Sequence, residues 1–289
     1  MHTPDTNTSR GCLLANTKAS PVQQRFSSPF SFTRFFSAAA IASVLTFSAC
    51  DPSLAATWSQ HEVIRQSVGS SQVIEKGLKL SLPLVAEDGS SVPFSVVAEG
   101  ALKGAAVERL ELFAPGNPTP QIARFEFGQE VAELNLATRI RLSESQTVVA
   151  VAHTSDGRVF IAEQPVRVTT SGCIAPAQAD ASAEMKARVR ATGKLAQGAS
   201  GEILTMISHP MTTGLAKNAQ GETPPQRIIQ RFEATLDDRP LIKATYFRSM
   251  AANPYLKFAF KPGKSGELRL EWTEDTGKIT QVREAIKVG

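Results

Sequence analysis

The sequence predicts an all-β chain built as two antiparallel β-sandwich domains joined by a flexible linker. Three observations carry that expectation. Apolar residues recur with a period of two from Lys76 onward, turn residues punctuate the runs at roughly ten-residue spacing, and one Ala-rich stretch divides the runs into two sets.

Residues 1–55 are expected to be an export signal. Arg25 and Arg34 precede an uncharged run from Phe35 to Phe47, the pattern of a basic region followed by a short apolar one. That run is too short to span a bilayer. Cleavage after Ser53-Leu54-Ala55 would make Ala56 the first residue, whereas Phe47-Ser48-Ala49-Cys50 offers a lipoprotein-type alternative with Cys50 lipidated. Either route predicts a periplasmic location or an equivalent oxidising space. A twin-arginine signal is not satisfied, because only Arg34 stands where two arginines are needed.

Trp58 to Glu75 is expected to form a helix or a lead-in, with helical spacing at Val63, Ile64, Val68 and Ile74. Strand periodicity begins with Leu78, Leu80, Leu82 and Leu84 alternating with Lys79, Ser81 and Pro83. Further strands are predicted at Val92 to Ala98, Val107 to Phe113, Ile122 to Phe127, Glu133 to Leu142, Thr147 to His153, Arg158 to Ala162 and Val166 to Thr170. Asp88-Gly89, Asn117-Pro118-Thr119-Pro120 and Asp156-Gly157 are turn chemistry, supplying fixed or positive φ. They are not expected to be catalytic carboxylates. This first unit covers 56–173.

Residues 174–187 read as the linker, since Ile174 to Lys186 is Ala-rich and nearly devoid of large apolar groups. The second unit, 188–289, shows strands at Ile203 to Ile207, Ile228 to Thr235, Leu241 to Phe247, Tyr255 to Phe260, Glu267 to Trp272 and Ile279 to Lys287. Glu274-Asp275-Thr276-Gly277 is a hairpin loop between the last two.

The formal net charge is +4, and removing residues 1–55 takes away four Lys/Arg and two Asp/Glu, leaving +2. A nearly neutral chain without a basic run gives no basis for nucleic-acid or bulk membrane binding. No Ser/His/Asp order, phosphate loop or paired-acid pattern stands out, so no catalytic residue is assigned. After export the histidines are His61, His153 and His209, and no Cys pair accompanies them. No metal or other cofactor is therefore expected. His209, followed by Pro210, is expected to pack or shape a turn. Asn253-Pro254-Tyr255 reads as a turn feeding a strand, its ring in the core or between the sandwiches. Arg139 and Arg141 flank Ile140 on a strand, which directs both to one face, either solvated or attractive to anions.

Cys173 is the candidate functional residue. Of three cysteines, Cys12 and Cys50 lie in or beside the export signal, so Cys173 is the sole thiol of the exported chain and has no disulfide partner within it. An ordinary thiol titrates near about 8.5, and no Lys, His or Arg lies between Val168 and Glu184 to promote the thiolate. Cys173 reads as a handle for cargo and not as a self-activated catalyst. Gly172 beside it would give the arm flexibility and keep it slim.

Three segments of the second unit, Ile207 to Leu215, Asn253 to Phe260 and Gly266 to Trp272, resemble SoxZ of the bacterial sulfur-oxidising (Sox) system. Upstream, Leu82 to Gly89, Asn117 to Pro120, Thr138 to Leu142 and Val166 to Cys173 resemble SoxY. The chain therefore looks like a SoxY–SoxZ fusion, a SoxYZ-like carrier. The resemblance implies immunoglobulin-like sandwiches and a non-catalytic role. It also implies that Cys173 is the covalent attachment point for sulfur intermediates of thiosulfate oxidation, worked on by periplasmic Sox partners: haem cytochromes, a hydrolase and a sulfur dehydrogenase. The family's arm ends Gly-Gly-Cys-Gly. Here Ser171-Gly172-Cys173-Ile174 replaces two glycines and the chain runs on. Fused members of the family are associated with quinoprotein dehydrogenases, which makes an accessory module of such a system, with sulfur carriage altered or lost, the alternative expectation.

Overall fold

A computed structural model describes residues 57–131, 133–172, 185–192, 195–196, 198–217 and 221–289. The described residues all fall in one compact unit, Ser53–Gly289. Residues 1–55, expected to be an export signal, Cys173, and residues 174–184 of the expected linker lie outside the described residues.

The architecture is all-β, as the alternation predicts. A short 3-10 turn (Thr57–Gln60) leads into α1 (Glu62–Val68). Nine strands follow: β1 (Val73–Ile74), β2 (Leu78–Ser81), β3 (Val85–Asp88), β4 (Val92–Ala98), β5 (Val107–Phe113), β6 (Gln121–Phe127), β7 (Asn135–Ile140), β8 (Gln146–Thr154) and β9 (Val159–Thr170). Further along the chain come β10 (Ala187–Thr192), β11 (Gly201–Ile207), β12 (Ile229–Leu236), β13 (Arg239–Tyr246), β14 (Tyr255–Phe260), β15 (Gly266–Glu274) and β16 (Ile279–Ile286).

These strands form two sheets, and each sheet takes strands from both halves of the chain. The larger has the order β1-β9-β8-β5-β6-β13-β12-β15-β16 with β3 added on β9, and the smaller the order β10-β11-β14-β7-β4-β2. The halves therefore meet edge to edge in both layers. β6 pairs antiparallel with β13, Phe125 opposite Ala244, and β7 pairs antiparallel with β14, Leu136 opposite Phe258. Pairing removes two strand edges that would otherwise be left open in each half.

Most strands bury alternate residues because one face meets the opposite sheet. In β4 these are Val92, Phe94 and Val96, and in β15 Leu268, Leu270 and Trp272. A single apolar core results, running from Phe94 in one half to Trp272 in the other. Phe125 and Tyr246 meet edge-on across the junction with ring centroids 6.2 Å apart.

β8 departs from alternation: Val148 through Ala152 are all buried. The reason is α1, whose Ile64 and Val68 cover Phe113, Val149, Val151, Val159 and Ile161 on the outer face of the larger sheet. A polar cluster sits beside this apolar contact. Ser67 on α1 donates to Glu111 Oε2, and Arg124 Nε donates to Glu111 Oε1 at 3.0 Å. Burial pushes the Glu111 carboxyl up, but hydrogen bonds from His153, Ser67 and Arg124 outweigh it and hold the group at about 2.

Three expectations change. Val73–Ile74 is a strand and not the tail of a helix, because it pairs in parallel with β9. Arg158 to Ala162 and Val166 to Thr170 are parts of one strand, β9, without a break. Residues 185–187 do not belong to the linker, since Met185 is buried in the common core and Ala187 opens β10 opposite Ile207.

Candidate functional site: the root of the cysteine arm

Cys173 follows Gly172, and the last described residues before it are held by backbone contacts from three segments. The end of β9 pairs in parallel with β3, Val85 opposite Arg167 and Asp88 opposite Thr170. Gly89 N donates to Thr170 O at 2.8 Å, Leu142 N donates to Gly89 O at 2.8 Å, and Gly172 N donates to Leu142 O at 2.9 Å. These bonds link residues far apart in sequence. Asp88 is used locally, its carboxylate accepting from Ser90 N and Ser90 Oγ, both at 2.7 Å.

Gly172 is thus an anchored residue, and the sequence reading of it as a source of flexibility does not describe its surroundings. A Cβ there would lie well under 3.0 Å from Gly89 O and Ser90 N, both backbone atoms with no freedom to swing aside. Gly89 faces the same limit against Leu142 O and Gly172 N. Glycine is needed at both positions for close approach of two backbones. Gly89 escapes notice in the sequence, where it reads as ordinary turn chemistry, since nothing local announces its contact with Gly172.

The other end of β3 carries two large exposed apolar side chains, Leu84 at 74% and Val85 at 50% exposure, level with Arg167 and five residues back along the strand from Gly172. Behind the root lies the junction between the halves. Asn117 is buried and donates through Nδ2 to Arg141 O at 2.8 Å and to Ser249 Oγ at 2.9 Å, while Ser249 Oγ donates to Thr119 O at 2.7 Å. Asn117-Pro118-Thr119-Pro120, a turn by sequence, therefore also ties the halves together.

Arg139 and Arg141 do not share an environment. β7 ends at Ile140, and Arg141 is buried, donating from Nη1 to Met211 O at 2.7 Å and from Nη2 to Pro210 O at 3.2 Å. It clamps the second half and does not face solvent. Arg139 remains exposed on the outer face of the smaller sheet, its guanidinium 5.5 Å from the ring centroid of Tyr255. That ring is half-buried on the sheet surface, across the seam between β7 and β14.

His209 has a packing role. Its Nδ1 accepts from Met211 N at 3.0 Å, which places the ring proton on Nε2, facing Glu274 Oε1 at 2.8 Å. Burial lowers its pKa from the ordinary histidine value, against the opposing pull of Glu274. Burial raises the Glu274 carboxyl, yet Thr276, Arg227 and His209 hold it at about 2. Among the described residues no group of three or more His, Cys, Asp or Glu is placed to hold a metal ion, and no helix is long and apolar enough to cross a membrane.

Comparison with known proteins adds the family. Residues 64–173 match the model for sulfur oxidation protein SoxY, with Cys173 the last residue matched, and residues 189–284 match the model for sulphur oxidation protein SoxZ. No curated protein matches. Similar solved structures include the superoxide reductase (Neelaredoxin) from Ignicoccus hospitalis and a single-substitution variant of it. Each is 17% identical with a TM-score of 0.29, covering 32% of this chain and 80% of that chain. Overlap of that extent carries no argument.

Proposed function

We propose that this chain, which belongs to the SoxY and SoxZ families as a tandem fusion of the two, carries a sulfur intermediate covalently on Cys173 and presents it to partner enzymes. Family membership places the protein in the sulfur oxidation system, among proteins that are in general carriers or accessory components. The single observation that carries the finer reading is the position of Cys173. It closes the SoxY match, and it follows directly on a strand end fixed by Gly89 and Leu142.

A handle of this kind needs a rigid base and a chemically plain thiol. The base is the contact of Gly172 with Gly89 and Leu142. The activation belongs to the partner, which binds the loaded cysteine in its own site and oxidises or hydrolyses the adduct there. Leu84 and Val85 lie farther along β3, level with Arg167, and desolvating them would favour docking of a partner broad enough to cover that end of the strand as well as the root. The protein itself is proposed to be non-catalytic and periplasmic, reached through the export signal at 1–55.

Reconstitution with Sox partner enzymes tests the assignment. The wild-type chain should support thiosulfate-dependent reduction of the haem cytochromes, and Cys173→Ser should reduce it to the level without carrier. Equal activity of the two proteins would overturn the proposal.

A further inference from the structure

The outer face of the smaller sheet is basic, and register brings its cations together from both halves. Pro93 pairs with Arg139, Tyr255 lies under the Arg139 guanidinium, Tyr255 pairs with Met206, and Met206 pairs with Arg188. Two residues along each strand, the same face presents Ala137, Lys257, Leu204 and Arg190 in register. Lys257 is paired with Glu202 at 3.0 Å, but no carboxylate among the described residues pairs with Arg139, Arg188 or Arg190. Three arginines without acidic partners share one sheet face that no described element covers.

That face lies beside the arm root. From Arg139 to Leu142 is three residues, at most about 10 Å of chain, and Leu142 O is bonded to Gly172 N. The chain leaves Gly172 on the β4 side of Arg139 and re-enters at Met185 ahead of β10, beyond β14 and β11. Pro93, Ala137, Arg139 and Tyr255 line an open groove of about 600 Å³ on this surface.

We infer that this face, with Arg139 over Tyr255 as its nearest contact, receives the oxyanion end of the adduct on Cys173. The inference rests on the carrier reading and deepens it. Thiosulfate joined through its outer sulfur to the cysteine forms one S–S bond and releases the thiol proton and two electrons to a haem-type oxidant. A terminal sulfonate remains, anionic at any pH the protein meets. The fixed positive charge of Arg139 attracts such oxygens, and the low-dielectric ring beneath it strengthens the attraction. Asp88 and Glu87 near the root repel the same anion, so the arginines on the other side would draw it across the sheet face.

Two thiol reagents of equal chemistry and opposite charge provide the test on the full-length protein. The sulfonatoethyl and trimethylammonioethyl methanethiosulfonates each form a mixed disulfide with the Cys173 thiolate and release methanesulfinate. Rates are followed by the mass of the peptide carrying Cys173. The ratio of anionic to cationic rate should fall at least about 3-fold in Arg139→Gln and further in Arg139→Gln/Arg188→Gln/Arg190→Gln, stay near wild type in Arg139→Lys, and shrink with salt. An unchanged ratio in both Gln proteins overturns the inference, as does an equal fall in Arg139→Lys. If the ratio behaves as stated while thiosulfate-dependent turnover ignores Cys173, the anion-receiving face stands and the carrier reading fails.

Discussion

Arg141 shows how one side chain can decide whether two halves stay together. Its guanidinium satisfies the carbonyls of Pro210 and Met211, and Met211 holds a backbone φ of 49°, uncommon for a residue with a side chain. Arg141→Met keeps the bulk but leaves two buried acceptors without their donors. The expected cost is about 2–4 kcal/mol, read as a lowered urea midpoint with unchanged slope. Gly172→Ala acts differently, because the added methyl must displace the backbone of Gly89 or Ser90. It should cost about 1–3 kcal/mol and speed exchange of the amide at position 172 relative to wild type, by detaching the end of β9 from Leu142. Wild-type exchange in that variant would show that the anchoring is unimportant.

At the scale of elements, α1 is marginal by itself. Seven residues with no side-chain cap do not hold a helix in water, so its order comes from burying Ile64 and Val68 against the larger sheet. Ile64→Ala should cost about 2–4 kcal/mol by leaving a cavity over Val149 and Val151, and the loss should appear as earlier local unfolding around α1. Most strands were legible because burial on one face writes a period of two. Val92–Ala98, Val107–Phe113 and Tyr255–Phe260 match the sequence reading to the residue. β10 was not legible: Ala187 and Val189 are its inward side chains ahead of a small Ala191, too slight an apolar signal beside the Ala-rich stretch before it. The candidate site was half legible. Cys173 stands out by inventory alone, whereas its support depends on Gly89, Leu142 and Asn117, whose contacts link positions far apart in the chain.

At the scale of the whole molecule, the shared sheets predict that the halves unfold together. Calorimetry near neutral pH should give one transition, and two resolved transitions would contradict the pairing of β6 with β13 and β7 with β14. Acid should weaken the fold early. His209 has a lowered pKa in the folded chain, so the unfolded chain takes up more protons below about 6.5, and stability falls as pH drops through that range. Glu111 and Glu274 are both held at about 2, so their stabilisation is complete above the ordinary carboxylate range and lost as pH falls from about 4.5 toward 2. The melting temperature should therefore decline in two stages on acidification, and Glu111→Gln should blunt the second.

The carrier account is tested most directly by the mass of the Cys173 peptide from protein recovered out of cells oxidising thiosulfate. The account predicts a population enlarged by sulfur or by a sulfonate-bearing sulfur group, removed by a reducing thiol and missing from Cys173→Ser. A peptide of unmodified mass, under conditions that load other carriers of the family, would contradict it.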